Sequence, residues 1–269
     1  MKFLPKLIKF TATIFITLVA ALYFLQERLI FPAPNMSAPA HISTNFTFLT
    51  IPTSDGKELA AYHHSAERGE ATVLVFHGNG DAAFFQLEKG EALVGAGFGV
   101  LLVEYRGYPG SSGQPSEDGL YTDALSVYEY ISKRGNEAIM IYAHSLGTGV
   151  AIDLAAKKPV IAMVLEAPYD SLKNVAQQRF PWAPIKWLMK HQFLSDSKIS
   201  AINIPVLMIH GLQDRIIPIH HGKALHALAN KQSEFLVLKN AGHNDLAKFG
   251  SVEKAVAFFE RYKPTQKSN

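Results

Sequence analysis

The chain has 269 residues, 48% hydrophobic and 18% charged, which suffices for one substantial α/β core or two small ones, one domain being the better reading. Its formal net charge of +3 includes Lys2, Lys6 and Lys9, so the remainder is close to neutral and offers no basic face for nucleic acid. A cysteine count of zero excludes thiol nucleophiles, disulfides and cysteine metal sites, and leaves the compartment open.

The amino-terminal lysines precede an apolar run from Phe10 to Leu25, closed by Gln26, Glu27 and Arg28. This pattern predicts a membrane anchor over residues 1–31. The run is short for a spanning helix, and Leu4, Leu7 and Ile8 before it and Leu29 to Phe31 after it extend the apolar length. A signal peptide cleaved at Val19-Ala20-Ala21 is the competing reading. Apolar residues continue through Tyr23, Phe24 and Leu25 past that point, which favours an uncleaved anchor. The lysines then hold the amino terminus in the cytoplasm and put the remaining chain on the far side, periplasmic or extracytoplasmic. Cleavage would give an exported soluble protein instead.

Pro32, Ala33, Pro34 and Asn35 to Pro39 predict an extended linker over residues 32–44. Asn45 to Thr53 and Leu59 to His64, separated by Ser54-Asp55-Gly56, read as an antiparallel hairpin. Thr72 to Phe76 is an apolar β-rich run ending in His77-Gly78-Asn79-Gly80. Helices and buried strands then alternate: helix Phe84 to Val94, strand Val100 to Tyr105, helix Glu117 to Arg134, strand Ala138 to Tyr142, helix Thr148 to Ala156, strand Val160 to Leu165. Strand Val206 to His210, helix His220 to Ala229, strand Glu234 to Leu238 and helix Val252 to Tyr262 complete the series. Apolar strands separated by helices predict a mostly parallel sheet covered on both faces, with ligands at the carboxyl ends of the strands.

Between Leu165 and Val206 lies an insert longer than an ordinary connection. It carries Phe180-Pro181-Trp182-Ala183-Pro184, then Ile185, Trp187, Leu188 and Met189. Over residues 169–203 it reads as a small lid on the strand ends. Its aromatic and methionine content reads first as packing, with a lipid- or acyl-contacting role as the alternative.

The segment IMIYAHSLGTGVA, Ile139 to Ala151, sets Ser145 at a strand-to-helix turn. The small residues Ala143 and Gly147 let the backbone fold sharply there, and the following helix aims its N–H groups at whatever sits on the serine. That suits the nucleophile of an acyl-transfer enzyme, which needs a base and a group to hold that base. Among eleven histidines, His243 stands out on the loop after the last strand. Asp214 lies past the strand ending at His210, and Asp170, after the preceding strand, is its rival for holding the base. His77 and His144 flank the site and read as orienting backbone. The pairs His63-His64 and His220-His221 lack a third ligand at useful spacing, so no zinc site is expected. Arg106-Gly107-Tyr108-Pro109-Gly110 lacks the lysine of a phosphate cradle and reads as a turn.

With F-H-G-N at Phe76 to Asn79, E-Y-R-G-Y-P-G-S-S-G-Q-P-S-E at Glu104 to Glu117, H-S-L-G at His144 to Gly147, D-R-I-I-P at Asp214 to Pro218 and G-H-N-D at Gly242 to Asp245, the chain resembles the α/β-hydrolase superfamily. It is most similar to the membrane-anchored serine hydrolases grouped with depalmitoylases and serine aminopeptidase-like enzymes. The resemblance implies the α/β-hydrolase fold over residues 45–265, with Ser145 as nucleophile, Asp214 as acid and His243 as base. It also implies an oxyanion hole from the backbone N–H groups of Asn79 and Leu146. The departure is Ala143, where relatives usually carry glycine. The expected activity is hydrolysis of carboxylic esters or thioesters of small-molecule or lipid-linked acyl groups through an acyl-enzyme, needing no metal or organic cofactor. An amidase or peptidase with the same residues, and a tethered non-catalytic binding protein, are the alternatives.

Overall fold

The computed structural model describes residues 3–67, 70–134 and 138–264. Lys2 and the expected domain end at residue 265 lie outside the described residues. Eight strands, β1 (Thr47–Pro52), β2 (Glu58–His64), β3 (Thr72–Phe76), β4 (Gly99–Val103), β5 (Ile139–His144), β6 (Ala162–Glu166), β7 (Val206–Gly211) and β8 (Ser233–Leu238), form one sheet. Their order is β1-β2-β4-β3-β5-β6-β7-β8. β1 and β2 pair antiparallel, β2 meets β4 antiparallel, and β4 through β8 run parallel.

The central strands are apolar along their whole length because both of their faces are covered. Alternate side chains of one strand enter different cores. Leu74, Phe76, Leu101, Ile141 and Ala143 join the core under α3 (Glu117–Ser132) and α4 (Leu146–Lys157), whereas Val73, Val75, Leu102, Met140 and Tyr142 join the core under α2 (Leu87–Gly95) and α8 (Ser251–Tyr262). Burying one side chain such as Leu74 or Ile141 stabilises the fold by about 1.5–3 kcal/mol.

Several ends differ from the sequence expectation. The helix expected from Phe84 begins as a 3-10 turn over Ala83–Gln86 before α2. β4 stops at Val103; the Glu104 N–H still donates to the Ala60 carbonyl of β2, while its carboxylate binds His77 and the Ala83 N–H. α4 starts at Leu146 directly behind the serine rather than at Thr148. The Arg106 turn is a tie: its guanidinium holds Asp123 of α3 at 2.7 Å and Asp55 of the hairpin turn at 2.7 Å.

α1 (Phe3–Ile30) stands off the sheet, with Gln26 its single buried side chain among the described residues. Residues 32–44, expected as an extended linker, lack regular helix and strand. Phe31 packs its ring 5.2 Å from His191 and 6.3 Å from Phe193, and the Tyr62 hydroxyl donates to the Pro39 carbonyl at 2.6 Å.

Candidate active site

Ser145 joins β5 to α4 with φ 50°, a backbone region that costs a non-glycine residue free energy and persists only where the surroundings enforce it. Here they do. The Ser145 N–H donates to the Glu166 carbonyl at 2.9 Å, and the Thr148 N–H and hydroxyl both donate to the Ser145 carbonyl, at 2.9 and 2.7 Å. A Cβ on residue 147 would stand 2.5 Å from the Phe76 oxygen and 2.7 Å from the His77 oxygen, so glycine there lets α4 close on the end of β3. Ala143 pairs with Phe76 on one side and Leu165 on the other and is 1% exposed, so the core accommodates its methyl group two residues before the elbow.

The loop after β8 brings His243 to the serine: its Nε2 lies 2.9 Å from Ser145 Oγ, and its Nδ1 lies 2.7 Å from Asp214 Oδ2. The carboxylate accepts from Nδ1–H, which leaves Nε2 as the acceptor for the serine hydroxyl. The other carboxylate oxygen, Oδ1, accepts the Ile216 and Ile217 N–H groups at 2.8 Å each. Burial alone would raise the Asp214 carboxyl, but hydrogen bonds from His210 and His243 and the Ile217 N–H hold it well below the usual carboxylate range.

Asp170, the rival for that position, is engaged elsewhere. It binds His221 Nδ1 at 2.7 Å and the Asn174 amide at 2.7 Å. His77 is fully buried, and its two ring nitrogens face acceptors, the Gly78 carbonyl at 2.7 Å and Glu104 at 2.7 Å. Burial disfavours charge on this ring, but the Glu104 carboxylate outweighs it and raises the affinity for a proton. His144 is pulled down to about 3, first by burial and then by the charge of Lys89. It is therefore neutral near pH 7, and its Nε2–H donates to the His243 carbonyl at 3.1 Å. Both rings hold loops of the site, His77 the one after β3 and His144 the one carrying His243.

Asn79, on the loop after β3, lines a cavity of about 360 Å³ together with Gly78, Asp81, Lys89, His144, Ser145, Glu166 and His243. Leu146 is the first residue of α4, so its N–H is among those that a helix start leaves without an intrahelical partner. The insert contributes no lining residue to this cavity. Its contacts run to α1 through Gln26 and Phe15 and to α3 through Glu117 and Tyr121.

Lys89 and Glu166 escaped the sequence reading. Lys89 Nζ stands 2.6 Å from Glu166 Oε2, and the Tyr142 hydroxyl donates to Oε1 at 2.7 Å. Burial would raise Glu166, but Lys89 holds it ionised below its ordinary value. A glutamate closing the apolar run of β6 was a visible signal for it, whereas Lys89 looks like any lysine on a surface helix. Among the described residues, no group of three or more His, Cys, Asp or Glu side chains is arranged to hold a metal ion.

Residues 67–197 match the family described as serine aminopeptidase, S33. An uncharacterized protein of Mycobacterium tuberculosis is 34% identical over 230 residues, which cover 82% of this chain and 81% of that one. The lysophosphatidylserine lipase ABHD12 of Danio rerio is 32% identical over 208 residues, 67% of this chain and 54% of that protein. Among solved structures, an esterase of Pyrococcus furiosus shares the fold with a TM-score of 0.72 at 18% identity, covering 86% of this chain and 98% of its own. Sheet order, elbow and relatives agree: the chain is a hydrolase belonging to the α/β-hydrolase superfamily.

Proposed function

We propose that the protein is a membrane-anchored serine hydrolase that cleaves carboxylic esters or thioesters of lipid-linked acyl groups through an acyl-enzyme on Ser145. The observation that carries this reading is the unbroken run of hydrogen bonds from Ser145 Oγ through His243, 2.9 Å away, to Asp214, 2.7 Å further on. His243 takes the hydroxyl proton as Ser145 Oγ attacks the acyl carbonyl, and Asp214 keeps the imidazole in the working tautomer and stabilises the imidazolium. The Asn79 and Leu146 N–H groups receive the developing oxyanion. His243 returns the proton to the departing alcohol or thiol, and water then repeats the sequence on the acyl-enzyme.

A lipid substrate is supported by the name of the zebrafish relative, a lysophosphatidylserine lipase, and by the apolar helix α1, whose length and composition suffice to cross a bilayer. The membrane reading places the amino terminus in the cytoplasm and the hydrolase on the opposite side. Polar groups of the cavity, Asp81, Lys89 and Glu166 among them, suit the polar part of such a substrate better than its acyl chain.

Replacing Ser145 by Ala lowers turnover of p-nitrophenyl acyl esters by roughly five to six powers of ten if the three residues act as a unit. Retention of most of the ester hydrolysis in that variant refutes the assignment. The family description, serine aminopeptidase, favours a second reading as an amidase. Faster cleavage of aminoacyl anilides than of acyl esters by the wild-type protein decides for it.

A further inference from the structure

α1 carries no charge between Lys9 and Glu27. At ~1.5 Å per residue that interval is about 25 Å long, close to the thickness of a hydrocarbon core. If α1 crosses a bilayer, this interval has little room to slide along the membrane normal, since either shift draws a charge into the hydrocarbon. The levels of everything packed against α1 follow from it.

The insert is packed there, along the domain-proximal part of the helix. At the top, Gln26 is clasped by the backbone of the insert: its Nε2 donates to the Leu188 carbonyl at 3.2 Å, and its Oε1 accepts the Lys190 N–H at 2.8 Å. Lys190 Nζ adds an ion pair to Glu27 at 3.4 Å and lies over the Tyr23 ring at 5.0 Å. Further down, the Trp182 ring meets the Phe15 ring edge-on, with centroids 6.2 Å apart. Phe15 is about 15 Å below Leu25 along the axis, so this contact lies within the apolar interval rather than above it. Leu22, between the two levels, and Leu29 and Ile30, above Gln26, line an apolar groove with Phe180, Ile185 and Met189 of the insert.

The outer face of the same segment is apolar where water would otherwise meet it. Trp187 is 79% exposed and Trp182 45%. The exposed cations Arg179, Lys186 and Lys190 lie within three residues of these tryptophans along the chain, Lys190 paired with Glu27. Such long side chains lay their stems on apolar surface and lift the charge to the headgroups, and tryptophan is enriched at the membrane boundary.

We propose that the segment 180–190 is a membrane-inserted wedge: it sits in the leaflet that α1 leaves on the domain side, with the Trp182 ring in the acyl-chain region and Trp187 nearer the headgroups. The inference rests on the reading of α1 as a membrane span. Its consequence is that the insert fastens the hydrolase to the bilayer at a second point and fixes how the domain tilts over the lipid. This use of the insert also accounts for its absence from the lining of the Ser145 cavity.

The chain has two tryptophans and ten tyrosines; both tryptophans lie in the wedge, so emission excited selectively from tryptophan reports on this element alone. The full chain is reconstituted into phosphatidylcholine vesicles and its flotation is measured. Emission is then recorded with lipids brominated near the carbonyl or near the chain terminus, for the wild type and for Trp182→Phe and Trp187→Phe. The wedge predicts blue-shifted, bromine-quenched emission. The deep bromine favours Trp182 (the W187F protein), and the shallow one favours Trp187 (the W182F protein). Unquenched emission from protein that floats with the vesicles overturns the wedge and leaves the anchor standing. Blue-shifted but unquenched emission, as expected if a second copy covers this face, overturns it as well. Failure to float removes the anchor and the wedge together.

Discussion

Substituting Asp214 separates two jobs that one carboxylate performs. Oδ1 accepts two backbone N–H groups, from Ile216 and Ile217, while Oδ2 accepts from His243 Nδ1 at 2.7 Å. In Asp214→Asn the amide oxygen is needed by the two backbone donors, so the amide NH2 turns to His243. A donor there forces Nδ1 to become the acceptor and places the proton on Nε2, facing Ser145 Oγ, where it cannot serve as a base. In a serine protease the corresponding change lowers kcat about 10⁴-fold while leaving the geometry intact, equivalent to about 5–6 kcal/mol of transition-state stabilisation. The same loss of kcat is expected here.

Asp214→Ala equally removes the partner of His243 Nδ1 and also strips the buried Ile217 N–H of its acceptor. That omission costs about 1–3 kcal/mol, or roughly 2–4 °C of Tm for each kcal/mol in a domain of this size. Ester turnover and thermal melting of the two variants in one detergent therefore give different patterns. Both lose activity, and Ala alone loses several degrees. An Asn variant within about tenfold of wild-type kcat would contradict the tautomer argument. An Asn variant as unstable as the Ala one would contradict the hydrogen-bond assignment.

Gly147→Ala pushes a methyl group to 2.5 Å from the Phe76 oxygen, which is backbone and cannot swing aside. We expect a destabilisation of about 1–3 kcal/mol with a loss of kcat as the loop carrying Asn79 shifts, and an unchanged melting curve and turnover would refute the packing. Lys89→Met leaves the buried Glu166 carboxylate without its cation at 2.6 Å and costs about 3–5 kcal/mol near pH 8. Adding Glu166→Gln is expected to restore part of that stability, and a double variant no more stable than the single one argues against the pairing. For pH, the folded Asp214 carboxyl is depressed relative to an unfolded value of about 3.9. Its contribution is therefore present above about pH 4 and is lost as the pH falls toward the folded value. The Tm of Asp214→Asn should fall less steeply with acid than that of the wild type, and parallel slopes would count against the linkage.

Much of the architecture was legible along the chain, because fully buried parallel strands must be apolar without interruption and the connections between them carry helical spacing. TVLVF and IMIYA announce their burial on both faces by composition alone. The elbow was legible for a related reason: a serine between a strand and small residues has few backbone courses open to it. What a linear string lacks is the distance between loops that are far apart along it. Whether Asp214 or Asp170 holds His243 depends on how neighbouring strands aim their last residues, and only the folded sheet sends Asp170 to His221 and Asp214 to His243. Likewise, Lys89 reads as a surface lysine until α2 packs it over Tyr142 and onto Glu166. The insert shows the limit most clearly. Its aromatic content marks it for apolar company, but that this company is α1 is visible only in contacts such as the Gln26 clasp and the Trp182–Phe15 pair, which join residues more than 160 positions apart and leave no local trace in the sequence.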